Sequence, residues 1–143
     1  MAHDAIRELV ERVTYAPGYT KAVGTRVESA EAGYVVMSLA KTDNLLQANG
    51  FFHGGVIAGL ADHAAGGAVT TAMPPGRFAV TVNLQISFLA PAKGGSLIAR
   101  ARALQVGSTI GVARVDVVSV ADGAETPCAI ATVTLRGVAF PAR

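Results

Sequence analysis

The chain reads Gln-Ala-Asn-Gly-Phe-Phe-His-Gly-Gly-Val-Ile-Ala-Gly-Leu-Ala-Asp from residue 47 to residue 62. A polar loop broken by glycine leads through His53-Gly54-Gly55 into a long apolar segment, which predicts a helix over residues 54–71. The glycines leave backbone N–H groups unhindered at the start of this helix, where negative charge can be stabilised. Asp62 falls where the periodicity predicts burial, and burying an unpaired carboxylate costs several kcal/mol. The stretch therefore predicts a central helix that carries the chemistry of the protein.

The composition predicts a single domain over residues 1–143, long enough to bury a sizeable core. The apolar fraction is 51% and the charged fraction only 15%, so we expect apolar surface to be covered in an oligomer. The net charge of +2 comes from scattered residues, and aromatic residues make up 6% of the chain. This pattern does not indicate a nucleic-acid partner.

The cysteine and histidine content argues against several classes of site. Cys128 is the only cysteine, which excludes disulfide frameworks and cysteine-based zinc sites and is typical of a cytoplasmic protein. The three histidines are not spaced as a ligand cluster, so we expect no metal. The N-terminus has no signal-peptide pattern, and the longest apolar stretch, residues 56–72, is too short to span a bilayer. We therefore expect a cytoplasmic protein that does not bind a membrane.

The remaining sequence predicts one short helix and six strands. The N-terminal helix is predicted to begin with Asp4 as its cap and to end before Pro17. Strands are predicted over residues 22–29, 33–40, 80–88, 96–106, 109–120 and 126–137.

The strand over residues 80–88 shows the clearest alternation. Its apolar positions are Val80, Val82, Leu84, Ile86 and Phe88. The residues between them are polar, which predicts one apolar face and one polar face. Because the turns between the last four strands are short, the strands should pair antiparallel. The prediction is an α+β fold in which an antiparallel β-sheet wraps around a long central helix.

Asp62 is the leading candidate for catalysis, as a general base toward water or as a nucleophile. The alternative is a carboxylate that a nearby hydroxyl or amide satisfies without any chemistry. His53 is expected to position the loop or to hydrogen-bond a substrate carbonyl as a neutral imidazole, because a helix N-terminus disfavours positive charge. His63 follows Asp62 and should point to a different face, so we interpret it as a packing histidine. No Gly-x-Ser-x-Gly motif supports a serine hydrolase.

Helix geometry limits how these groups can act together. Gly54 and Asp62 are eight residues apart, which separates them by about 12 Å along a helix. One small carbonyl group cannot contact both of them. If the amide of Gly54 polarises a carbonyl that Asp62 attacks, the two residues must come from different subunits. The spacing therefore predicts a homodimer with two shared sites, formed by antiparallel central helices across a two-fold axis.

Hotdog-fold acyl-CoA thioesterases of the phenylacetate-degradation (PaaI-like) type resemble this chain over residues 20–138. The features that match are His53-Gly54-Gly55, Asp62 nine residues after His53, the strand from Val80 and the exit Phe88-Leu89-Ala90-Pro91-Ala92. The resemblance implies the hotdog fold and hydrolysis of the thioester between coenzyme A and an aryl or medium-chain acyl group. It also implies a homotetramer built from two dimers. Coenzyme A is then part of the substrate, and no separate cofactor is expected.

The resemblance implies a role for each matching residue. Asp62 matches the catalytic carboxylate, and Gly54 matches the backbone N–H that polarises the thioester carbonyl. Gln47 falls where the family has an amide near the thioester and the attacking water, and Asn49 is the alternative amide. Thr81 falls where a hydroxyl orients that water. Gly54 and Gln47 would come from one subunit, and Asp62 and Thr81 from the other.

Further residues are expected to bind the substrate. Gly55 lies beside Gly54 at the helix start. Phe52 is a candidate for the acyl pocket, together with Phe51 and Leu60. The phosphates of coenzyme A need basic side chains at the mouth of the site. The candidates are Lys93, Arg100 and Arg102, with solvated surface charges as the alternative interpretation.

Two other functions remain open at this point. A hotdog dehydratase or hydratase would need an acid–base group beside the acyl β-carbon. A non-catalytic protein could bind acyl-CoA without cleaving it, because one fold supports several functions.

Overall fold

The structure is a computed structural model that describes residues 2–140. The first elements are the helices α1 (His3–Thr14) and α2 (Tyr19–Val23) and the strands β1 (Arg26–Glu31) and β2 (Tyr34–Ala40). A single 3-10 turn (Asp43–Leu45) precedes the helix α3 (Gly54–Ala72). The last four strands are β3 (Arg77–Phe88), β4 (Ser96–Val106), β5 (Ile110–Ala121) and β6 (Ala124–Ala139).

The six strands form one antiparallel sheet in the order β1-β2-β4-β5-β6-β3. The helix α3 contacts all six strands. Six strands spaced by about 4.8 Å are much wider than a helix of about 10 Å, so α3 reaches both edges only because the sheet curves around it. The predicted α+β architecture, an antiparallel sheet wrapped around one long helix, is confirmed.

Small residues allow the sheet to lie close to α3. A Cβ atom at Gly67 would be 3.4 Å from Val35, and one at Gly111 of β5 would be only 2.5 Å from Val69. A side chain at Gly111 would therefore force α3 away from the sheet. The prediction that the alanine- and glycine-rich helix is central is confirmed. Within residues 2–140, no helix combines the length and the apolar character that crossing a membrane requires.

Two predictions for the N-terminal part are wrong. The N-cap residue of α1 is Ala2, which has no side-chain acceptor, and Asp4 lies inside the first turn. Asp4 can therefore interact favourably with the helix dipole but does not cap the helix. Residues 22–25 are not part of a strand, because Tyr19–Val23 form α2 and Gly24, at φ +88°, ends that helix.

A β-bulge in β3 changes the alternation of its side chains. Thr81 pairs with Leu135 of β6 and Asn83 pairs with Thr134, so Val82 is an extra residue without a partner. An extra residue in one strand exchanges the positions that face the core with those that face away from it. The bulge therefore divides β3 into two parts with opposite alternation.

The single apolar face predicted for residues 80–88 is wrong for this reason. Before the bulge, Thr81 is the residue that faces α3, and Val80 lies on the opposite side of the strand with 39% of its surface exposed. After the bulge, Leu84 and Ile86 face the core, opposite buried residues of β6. The bulge thus turns a hydroxyl toward the central helix.

Candidate active site

The start of α3 is fixed by the side chain that precedes it. His53 is the N-cap residue, and its Nδ1 atom accepts a hydrogen bond of 2.9 Å from the backbone N–H of Gly55. Because Nδ1 accepts, it carries no proton in this arrangement. A Cβ atom at Gly55 would be 3.0 Å from Nδ1, so glycine leaves the space that this cap needs. His53 therefore sets the direction in which the chain enters the helix.

The amide of Gly54 is the free donor at this helix end. Backbone N–H groups of the first turn have no carbonyl partner within the helix, and His53 takes the amide of Gly55. Within residues 2–140, no acceptor is found for the N–H of Gly54. The helix dipole adds partial positive charge at this point, so the amide can stabilise negative charge that develops on a carbonyl oxygen.

A cavity of about 490 Å³, which we name the loop cavity, lies in front of Gly54. Gln47 and Asn49 line it and are exposed. The amide group of Gln47 donates only a long hydrogen bond of 3.5 Å, to the carbonyl of Phe52. The side-chain oxygen of Asn49 accepts one of 3.4 Å from the N–H of Phe51. The structure therefore brings both predicted amides to the same cavity as Gly54.

Asp62 lies on α3 and is half-buried. Its Oδ1 atom accepts a hydrogen bond of 2.6 Å from the hydroxyl of Thr81, the residue that the bulge turns toward α3. Within the described part of the chain, Oδ2 has no hydrogen-bond partner. Both residues line a second cavity of about 280 Å³, which we name the helix cavity, between α1, α3 and β3.

The two cavities have no lining residue in common. One contains Gly54, Gln47 and Asn49, and the other contains Asp62 and Thr81. The amide and the carboxylate are about 12 Å apart along α3, so within one chain they cannot contact the same carbonyl group. Each chain therefore holds two separate groups of candidate residues, which we name the half-sites around Gly54 and around Asp62.

His63 and Asp62 both line the helix cavity but contact different elements, Asp62 through Thr81 of β3 and His63 through Thr14 of α1. The Nε2 atom of His63 is 2.9 Å from the hydroxyl of Thr14, the last residue of α1. Burial lowers the pKa of His63 below 6.5, and the nearby charge of Asp62 only partly opposes this effect. A neutral imidazole with a hydrogen-bond partner fits the interpretation as a packing histidine. The partner of His63 could not be predicted, because Thr14 lies 49 residues away in the chain.

The residues predicted to bind the acyl group and coenzyme A differ in accessibility. Phe52 is 1% exposed and Leu60 is 2% exposed, so both side chains belong to the core. Phe51 is half-buried and lines the loop cavity. The ammonium group of Lys93 lies 5.3 Å from the centre of the Phe51 ring, a cation–π contact. Lys93 does not line the loop cavity itself but lies at its rim, beside the lining residue Phe51.

Arg100 and Arg102 of β4 line neither cavity. Arg100 forms two hydrogen bonds, of 2.9 and 2.7 Å, with Glu125. This pairing raises the pKa of Arg100 and lowers the pKa of Glu125. The guanidinium group of Arg102 lies 4.5 Å from the ring centre of Tyr34. The structure does not bring these two arginines together with the other predicted site residues.

Other reactive side chains do not add to the two half-sites. Cys128 is buried, and burial raises the pKa of its thiol to about 11, so the thiol stays protonated at neutral pH. Among residues 2–140, no group of three or more His, Cys, Asp or Glu side chains could hold a metal ion. The candidate chemistry therefore depends on Asp62, Thr81 and the start of α3.

Comparisons with known proteins show the family to which this chain belongs. A family model described as the thioesterase superfamily matches residues 49–125. A protein of Halobacterium salinarum, whose name proposes an esterase, is 36% identical over 127 residues, which cover 85% of this chain and 83% of that protein. The 1,4-dihydroxy-2-naphthoyl-CoA hydrolase of Listeria monocytogenes is 29% identical over 92 residues, which cover 64% of this chain and 75% of that enzyme.

The fold itself is also found in solved structures. The PaaI protein from the phenylacetic acid degradation operon of E. coli superposes with a TM-score of 0.82 at 24% identity, over 96% of each chain. The matched segment of the family model contains Gly54, Asp62 and Thr81. The resemblance inferred from the sequence is thus confirmed. The sheet wraps around α3, and the family match covers α3 together with β3, β4 and β5. The chain is therefore a hydrolase of the thioesterase superfamily with the hotdog fold.

Proposed function

We propose that this protein hydrolyses acyl-CoA thioesters in a site that two copies of the chain form together. One observation carries the proposal: each chain holds a free amide and a hydroxyl-bound carboxylate in two cavities with no common lining residue. A dimer in which two α3 helices run antiparallel brings the amide of one copy opposite the carboxylate of the other. Coenzyme A is proposed as the thiol because a relative that is 29% identical is named as a CoA thioester hydrolase.

The half-sites divide the reaction between them. The N–H of Gly54 donates to the carbonyl oxygen of the thioester and stabilises the negative charge that develops there. Asp62 of the other copy removes a proton from water, and the resulting hydroxide attacks the carbonyl carbon. The carbon–sulfur bond then breaks, and the thiolate takes up the proton from Asp62, which leaves a carboxylic acid and coenzyme A. Thr81 holds the Oδ1 atom of Asp62, so that Oδ2 faces the water.

A nucleophilic role for Asp62 uses the same geometry. In that case the carboxylate attacks the thioester carbonyl, the carbon–sulfur bond breaks, and the thiolate leaves behind a mixed anhydride. Water then hydrolyses the anhydride to the acid and the Asp62 carboxylate, and the proton released goes to the thiolate. Single-turnover hydrolysis in water labelled with heavy oxygen distinguishes the two routes. Label that enters the carboxylate of Asp62 supports the anhydride, and label found only in the product acid supports the general base.

The edge strand β3 is the surface proposed to form the dimer. β3 is the last strand of the sheet, and its outer side has no neighbouring strand among the described residues. Val82, Phe88 and Leu89, on β3 and just after it, are 57%, 54% and 57% exposed. A long edge strand with exposed apolar side chains is a ready site for pairing with another strand. A second copy of β3 would extend the sheet and cover these side chains, and two such dimers would form the expected tetramer.

The loop cavity is proposed to hold the coenzyme A end of the thioester. Gln47 or Asn49 would contact the thioester and the attacking water from the same copy as Gly54. Lys93 is the basic residue proposed to bind phosphate, because it lies at the rim of this cavity. Arg100 is engaged with Glu125 and Arg102 with Tyr34, so neither is favoured for that role.

A mixed dimer tests the shared site directly. Gly54→Pro removes the amide hydrogen, and proline is well tolerated at the first position of a helix; Asp62→Asn removes the base. Each variant alone is expected to release little free thiol from a panel of acyl-CoA esters. A dimer purified with one copy of each variant contains one intact site out of two, so about half of the wild-type activity should return. If the mixed dimer stays inactive, the site does not lie between subunits.

The same panel separates this function from the other two. Formation of an enoyl-CoA without free thiol would identify a dehydratase. Tight binding of intact acyl-CoA without turnover at any pH would identify a binding protein. Release of thiol that depends on Asp62 supports the thioesterase.

A further inference from the structure

The helix α1 is attached firmly to the rest of the protein. The guanidinium group of Arg7 donates hydrogen bonds of 3.1 and 3.0 Å to the backbone oxygens of Val27 and Glu28 in β1. At the other end of α1, the Thr14 hydroxyl pairs with His63 of α3. These contacts hold α1 in place beside the helix cavity.

The helix cavity is largely apolar apart from its catalytic end. Asp62 and Thr81 line it together with His63, Thr14 and Thr70. The large apolar residues that line it are Leu9, Val10, Val13, Met37, Phe78, Val80 and Leu135. Three of these seven belong to α1, so α1 forms the wall of the cavity that faces α3.

The volume of the cavity limits what it can hold. A dry cavity of about 150 Å³ lined by apolar residues accommodates benzene. The helix cavity measures about 280 Å³, so it has room for a substituted ring or a short chain. A long fatty acyl group would extend past it and meet α1.

We propose that the helix cavity receives the acyl group and that α1, through Leu9 and Val13, sets the longest acyl group that the enzyme hydrolyses. This inference rests on the proposed function, because the acyl carbonyl must lie beside Asp62. The apolar space next to Asp62 within the same chain is the helix cavity. Leu9 and Val13 are half-buried and belong to a helix that is fixed at both ends.

A series of straight-chain acyl-CoA esters tests the inference. Each methylene that enters the cavity should raise kcat/KM roughly fourfold, until the chain reaches α1 and kcat/KM falls. Leu9→Ala removes three carbons from the wall and should move the optimum to chains about three carbons longer. Val13→Leu adds one carbon and should move the optimum to shorter chains. Glu8→Ala, on the exposed side of α1, is the matched control and should leave the optimum unchanged.

Two substitutions with opposite expected shifts are used so that a folding defect in one variant cannot be mistaken for the expected result. Each variant is checked by thermal unfolding, and its optimum is compared within one protein, so a lower fraction of active enzyme does not change the result. Opposite shifts in Leu9→Ala and Val13→Leu support the inference. An unchanged optimum in either folded variant overturns it, as does a shift of equal size in Glu8→Ala.

Binding measurements separate this inference from the proposed function. Calorimetry with the Asp62→Asn variant gives the affinity for each ester without hydrolysis. If no ester is hydrolysed by the wild type and yet the affinity optimum moves with Leu9→Ala, the thioesterase proposal fails and the role of α1 stands. If hydrolysis depends on Asp62 but neither optimum moves, the role of α1 fails alone.

Discussion

The half-site around Gly54 and the half-site around Asp62 are built in different ways. The first comes from one continuous stretch, residues 47–55, and its reactive group is a backbone amide. The second depends on side chains from α3 and β3, which meet because a bulge turns Thr81 toward the helix. A backbone donor needs only a local turn and an N-cap. A carboxylate that is held by a hydroxyl needs two separate elements packed so that the two side chains meet. The two half-sites should therefore respond differently to substitution.

Loss of the carboxylate should have the largest effect. Asp62→Asn keeps the size of the side chain but removes the base, so thiol release should fall by about 10²–10⁴-fold. Asp116→Asn, an exposed position on β5, is the control. A discontinuous assay with a thiol reagent measures the rate of thiol release for both variants. Equal rates for Asp62→Asn and the wild type would remove Asp62 from the mechanism.

Loss of the amide should have the next largest effect. Gly54→Pro removes the N–H for which residues 2–140 provide no acceptor, and kcat should fall by about 10²–10³-fold. Gly54→Ala adds a Cβ atom 3.3 Å from the ring of Phe88 but keeps the N–H, so it measures the steric cost alone. The ratio of kcat for Gly54→Ala to kcat for Gly54→Pro measures the contribution of the amide N–H. A ratio close to one would mean that Gly54 does not polarise the carbonyl.

Loss of the hydroxyl that holds Asp62 should have a smaller effect. Thr81→Val keeps the shape of the side chain and removes its hydrogen bond to a charged group, so kcat should fall roughly 10- to 100-fold. Thr81→Ser keeps the hydroxyl and should retain most of the activity. The loss in Thr81→Val should fall on kcat with little change in KM, because the hydroxyl acts through Asp62 rather than on the substrate. Equal kcat values for Thr81→Val and Thr81→Ser would contradict a role in positioning Asp62.

The smallest effect concerns stability rather than rate. Burial lowers the pKa of His63 in the folded protein, so at acidic pH the unfolded chain binds a proton more readily than the folded one. The free energy of unfolding should therefore be insensitive to this group above pH 6.5 and fall as the pH drops below it. His63→Gln should reduce this dependence, and an unchanged dependence in that variant would contradict the prediction. Urea denaturation at pH 7.5 and pH 5.5 measures the difference.

The parts that could be predicted from the sequence are those with a local cause. The central helix follows from its small residues and from the glycines that begin it, and the last strands follow from their turns. The separation of Gly54 from Asp62 follows from the helix repeat. The bulge at Val82 could not be predicted, because an unbroken alternation of apolar and polar residues gives no sign of an unpaired residue. The contact between Thr14 and His63 and the shape of the helix cavity could not be predicted either. Both depend on how elements that are distant in the sequence pack together.

The bulge has one more consequence, for the choice of partner. An interrupted edge twists more strongly than a regular one, and this discourages pairing with unrelated strands. In the dimer that we propose, the partner strand is a copy of β3 with the same bulge and the same local twist. The irregularity that aims one hydroxyl is therefore compatible with self-pairing, while it discourages pairing with unrelated strands.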